Sequence, residues 1–104
     1  MPTMQIAGRS IDVTADGFLT DHTQWDKAVA AELARRADID LTDAHWAVIA
    51  FLRRDFEDQG RTPSLRRTST VGGFPVVTLF ELFPGKPAKI MAQIAGLPKS
   101  VGCV

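Results

Sequence analysis

Few residues in this chain have side chains suited to covalent or acid–base chemistry. Cys103 is the only cysteine among 104 residues and sits in the closing stretch GLPKSVGCV, and the histidines are His22 and His45. These three fall on different elements without close ligand spacing, so neither a metal site nor a bound cofactor is expected. No glycine-rich loop carries a phosphate-binding lysine, and no serine sits in a nucleophile elbow. What remains is sulfur chemistry at Cys103. A lone buried cysteine is usually a small core hydrophobe. A penultimate position after a segment punctuated by Gly96, Pro98 and Gly102 is a poor place for core, however, and an exposed thiol is open to oxidation. The position therefore favours a working thiol. Prenylation is excluded, since that signal needs the cysteine fourth from the end. The reactive form is the thiolate; the carboxylate on Val104 opposes it, and a cation beside the sulfur favours it. Lys99 is near in sequence, and folding could bring Arg66 and Arg67 close.

The elements that must position Cys103 read as one small domain over residues 1–104, without a Gly/Ser-rich or Pro-rich linker. Met4, Ile6, Ile11 and Val13 alternate with polar neighbours around AGRS, predicting a hairpin over 1–15 with Gly8 in its turn. ADGFLTD interrupts the pattern. Trp25, Val29 and Leu33 then recur at one-turn spacing, predicting a helix capped by Asp21 or Thr23 and ending near Arg35 and Arg36. A second helix opens at Thr42 and Asp43, carries Trp46, Ile49, Phe51, Leu52 and Phe56 on a broad apolar face, and stops at Gly60. Pro63 is placed to start a short helix that Gly72 and Gly73 end. FPVVTLFELF has strand propensity locally, although a short buried helix fits the same run. Pro87 begins a last helix that Gly96 stops. The fold class is mainly α (α+β): a helical body over 21–96 behind the hairpin, then an arm over 97–104 that spans roughly 25 Å at most when straight.

Composition narrows the partners. Apolar residues make up 45% of the chain and charged residues 23%, enough for a small core. Twelve basic and twelve acidic side chains cancel, so there is no general attraction to nucleic acid or to an anionic membrane. No apolar run reaches membrane-spanning length and the start lacks the layout of a signal peptide, so a cytoplasmic location is expected. With one cysteine no internal disulfide can form, in keeping with a reducing compartment.

The tail IAGLPKSVGCV, preceded by LFELFPGKPAK, resembles the carboxyl end of the DsrC/TusE family of sulfur-relay proteins. MQIAGRSIDVTADGFL, LTDAHWAVIAFLRRDF and TPSLR are similar to family segments in the same order, so the resemblance covers most of the chain. It implies a compact helical domain with an amino-terminal hairpin and a mobile arm, and a role for Cys103 in accepting and donating a persulfide sulfur. It implies partners as well: an upstream sulfur-donor complex and a downstream acceptor enzyme, as in thiolation of the tRNA wobble uridine. Arg66 matches the arginine of the family's P-x-x-R stretch. There it would support a thiolate or persulfide, and on residues alone a solvated helix face fits equally well. Family members of dissimilatory sulfur metabolism carry a second cysteine near the position of Ala92, so their intramolecular disulfide has no counterpart here. The segment 67–78 is shorter than the family resemblance leads one to expect, Ser100 replaces a usual proline, and Lys86 replaces a usual glycine.

Other readings compete. One is a DsrC-like protein of sulfur oxidation or sulfite reduction. Another is a helix-turn-helix-like regulator with Leu65, Arg66 and Arg67 heading a recognition helix, which the neutral charge disfavours. A third is a non-catalytic subunit docking through its helical face. His45 reads as a capping or packing residue, Trp25 and Trp46 as core, and the pairs Arg35–Arg36 and Arg53–Arg54 as solvated surface.

Overall fold

The structure, a computed structural model, describes residues 2–100. It is mainly α, with one two-stranded sheet among the described residues. Strands β1 (Thr3–Ile6) and β2 (Arg9–Asp12) pair antiparallel with Met4 opposite Ile11 and Ile6 opposite Arg9. Ala7 and Gly8 both take positive φ (52° and 77°), the two-residue turn whose twist matches the strands. Strand alternation sends Ile6 and Ile11 into the core, followed by Val13. The ADGFLTD break joins that core: Val13 bridges to Leu19, and Phe18 and Leu19 are buried.

Helix α1 (Lys27–Arg36) starts later than the apolar spacing suggests. Asp21 accepts the Thr23 N–H and caps only a 3-10 turn, His22–Gln24. Asp26 then accepts the Val29 N–H at 3.0 Å and opens α1. Trp25 therefore lies outside the helix, and two successive caps separate what one periodicity had merged. Helix α2 (Asp43–Gln59) begins after Thr42 and ends at Gly60 with φ 73°, as expected, burying Val48, Ile49 and Leu52. Helix α3 (Leu65–Thr70) is capped by Ser64, which accepts the Arg67 N–H, so Pro63 precedes the cap and is not the first helical residue.

FPVVTLFELF forms helix α4 (Val76–Leu82), against its local strand propensity. A strand would place Glu81 on one face with Leu79 and Phe83. The helix instead turns Leu79 and Leu82 inward and delivers Phe83 at its C-cap, with Leu79 and Phe83 fully buried, and leaves Glu81 exposed. Tertiary burial decides the contest. Helix α5 (Pro87–Ile94) starts on Pro87 as expected and buries Met91, Ala92 and Ile94. Its end is a paired closure: Gly96 N–H bonds the Gln93 carbonyl and Leu97 N–H bonds the Ala92 carbonyl at 3.0 Å, with Gly96 at φ 71°.

Candidate functional site

Cys103 lies outside the described residues, so the site is built from the segment that leads to it. That segment does not leave the body at Leu97, where the arm was expected to begin. Leu97 is fully buried and Ser100 is 5% exposed, while Pro98 and Lys99 between them face solvent. An in–out–out–in course seats residues 97–100 on the fold.

Three side chains hold this root. Trp25 donates its indole N–H to the Ile94 carbonyl at 2.8 Å. Arg53 donates to the Ala95 carbonyl at 2.8 Å and to the His22 carbonyl at 3.0 Å, with its guanidinium 4.1 Å from the Trp25 ring centre. Burial there pulls the Arg53 pKa down, and Glu57 opposes the effect. Arg53 is thus a half-buried clamp and not the solvated residue its RR pair suggested; Arg54 is exposed. Further along, Thr62 Oγ1 donates to the Pro98 carbonyl at 2.7 Å.

Thr62 also borders a cleft of about 220 Å³ lined by Asp55, Gln59, Arg61, Thr62, Pro63, Ser64 and Arg67. Two of these lining residues form an ion pair. Arg67 Nε and Nη2 each donate to one Asp55 carboxylate oxygen at 2.8 Å, a two-pronged bond with Asp55 7% exposed. The Arg67 hydrogen bonds hold the Asp55 carboxyl below its ordinary range despite desolvation, and Asp55 in turn raises Arg67. Arg67 is thereby committed to the fold. Arg66 lies in the first turn of α3 and is exposed. In sequence Arg66 lies four residues after the Thr62 donor and Lys99 one residue after the Pro98 acceptor, and both cations are exposed.

His45 is structural. Its Nδ1 accepts the Thr42 N–H at 3.0 Å, which leaves the ring proton on Nε2 to donate to the Leu82 carbonyl at 2.8 Å. The ring also meets Phe83 edge-on at 5.2 Å. Among the described residues no three His, Cys, Asp or Glu side chains gather to hold a metal ion, and no helix is long and apolar enough to cross a membrane.

A family model described as "DsrC like protein" matches residues 5–104. The chain belongs to the DsrC-like family. A sulfurtransferase TusE of Yersinia pseudotuberculosis is 36% identical over 108 aligned positions, covering 97% of this chain and 100% of that protein. Two solved structures share the fold over 99% of this chain and 100% of theirs. A crystal structure titled dissimilatory sulfite reductase I (DsrI) has a TM-score of 0.86 at 32% identity. The oxidized gamma-subunit of the dissimilatory sulfite reductase (DsrC) from Archaeoglobus fulgidus has a TM-score of 0.80 at 36% identity. The DsrC-like chain described here is therefore a member of a sulfur-relay family, and such membership implies donor and acceptor proteins.

The residue pattern did not single out Thr62 or Asp55, marked Arg53 as solvated surface, and offered Arg67 to the thiolate, whereas Arg67 pairs with Asp55. Thr62 stands in the quoted TPSLR stretch, so a signal was present, but its partner Pro98 is 36 positions away.

Proposed function

We propose that this chain carries a persulfide sulfur on Cys103 between two proteins, in the manner of tRNA wobble-uridine 2-thiolation. The observation that carries this reading is near-full-length similarity to a sulfurtransferase TusE in a chain whose only cysteine is Cys103. The Cys103 thiolate attacks the outer sulfur of a donor persulfide, the donor's S–S bond breaks, and the donor sulfur leaves as a thiolate that takes up the proton. The sum is R–S–SH plus Cys103–SH giving R–SH plus Cys103–S–SH, with no net oxidation. Repetition of the step with an acceptor cysteine passes the sulfur on. Arg66 and Lys99 are the cations we assign to support of the thiolate or persulfide.

Two features favour relay between proteins over chemistry within one chain. Ala92 is fully buried in α5, and no second thiol exists to close a ring on Cys103. Ser100 is seated, so three residues can carry Cys103 about 10 Å from it at most, well short of the reach of a free eight-residue arm. A partner must therefore bring its own sulfur to the face around Ser100 and Thr62.

Incubation with cysteine and a cysteine desulfurase relay system should add the mass of one sulfur to the intact chain. Cys103→Ser should stay unmodified. A wild-type chain that remains unmodified under conditions loading a known relay protein overturns the reading.

A further inference from the structure

We propose that Thr62 is a positioning residue for sulfur transfer: its hydroxyl fixes the backbone at Pro98, five residues before Cys103. The inference rests on the relay reading and adds to it a residue with a defined task.

The geometry separates this task from core building. The end of α5 is already fixed by the Gly96–Leu97 closure, by the Trp25 bond to Ile94 and by the Arg53 bond to Ala95, and Leu97 completes the core. The Thr62 bond lies beyond all of these, on the carbonyl of Pro98, whose side chain and that of Lys99 face solvent. It holds the backbone of a segment whose side chains at 98 and 99 are exposed. Thr62 itself is 6% exposed, so water competes poorly for its 2.7 Å bond. A fixed Pro98 backbone raises the share of molecules already in the docking arrangement, and apparent affinity scales with that share. Loss of the hydroxyl should therefore raise the donor concentration needed for loading without slowing the sulfur step once the partner is bound.

The test compares wild type, Thr62→Val, Thr62→Ser and Thr62→Ala at a temperature where circular dichroism shows each folded. Loading of Cys103 is timed with two donors, a cysteine desulfurase relay system and glutathione persulfide. With the protein donor, Thr62→Val should need about fivefold more donor for half-maximal rate, the size of one neutral hydrogen bond, at an unchanged maximal rate. Thr62→Ala should behave like Thr62→Val, and Thr62→Ser should restore the wild-type value. With glutathione persulfide, which needs no docking, all four should load alike. The Lys99 and Ser100 amides should show lower heteronuclear NOE values in Thr62→Val than in wild type. Donor requirements within twofold of wild type in Thr62→Val and Thr62→Ala, or an equal loss with both donors, overturn the positioning role. A wild-type chain that takes sulfur from neither donor overturns the relay reading instead, and the positioning role with it.

Discussion

Gly96 faces Trp25 so closely that a Cβ on Gly96 would lie 2.3 Å from the indole Cδ1. Gly96 also holds φ at 71°, where a side chain is strained, while Trp25 donates its N–H two residues upstream at Ile94. Backbone conformation and packing thus demand glycine at one point for separate reasons. The indole can cover the end of α5 and reach a carbonyl there only because position 96 has no side chain.

Gly96→Ala should destabilise the fold by about 3 kcal/mol, combining a left-handed backbone cost of about 1–2 kcal/mol with the displacement of Trp25. Trp25→Phe keeps the ring but removes the donor and should cost about 1 kcal/mol. Urea denaturation midpoints of the two variants check the order. A Gly96→Ala chain as stable as wild type would contradict the contact.

Asp55 gives a pH signature. Its folded pKa lies below the unfolded value, so its contribution is fully present above about pH 4 and is lost as pH falls through the depressed folded value. Asp55→Asn should be less stable than wild type at pH 7 by about 1.5–3 kcal/mol, the range for a hydrogen-bonded charge. The gap should narrow as pH is taken below 4, because wild type loses what the variant never had. Denaturant midpoints at pH 7, 5 and 3 test this, and a gap constant across that range would contradict it.

Much of this architecture is written locally. Thr42 and Gly60 mark α2, Pro87 and Gly96 mark α5, and Ala7–Gly8 closes the hairpin, because each depends on neighbours within a few residues. The misread elements depend on distant ones. Asp26 caps α1 in place of Asp21 or Thr23 while Trp25 just before it bonds the distant Ile94, and α4 is helical because Leu79 and Phe83 find a core together. The candidate site divides the same way. Cys103 stands out by type and position, whereas Thr62 and Pro98 meet only through the tertiary fold.

Helix α4 supplies a direct test of that override. Val77 is 67% exposed on its outer face. On a helix, Val77→Ala exchanges a stiff β-branched side chain for the best helix former and should raise stability by about 0.5 kcal/mol. On a strand the same change would lower it. Thermal unfolding of the single variant therefore reads the secondary structure of this segment, and a drop in stability would favour the strand.

His45 links the start of α2 to the end of α4, and its replacement separates a structural role from a chemical one. With Nδ1 accepting from Thr42 and Nε2 donating to Leu82, both ring nitrogens are committed, and none of the ring's hydrogen-bonding capacity is left for a sulfur. His45→Ala removes both bonds from a site only 6% exposed and should cost about 2–3 kcal/mol. His45→Gln can still accept the Thr42 N–H, as glutamine does at this position of a capping box, and should recover about half of that loss. Sulfur loading of Cys103 by folded His45→Gln should match wild type at every donor concentration. A loading defect in that variant, with stability largely restored, would move His45 from the scaffold into the chemistry.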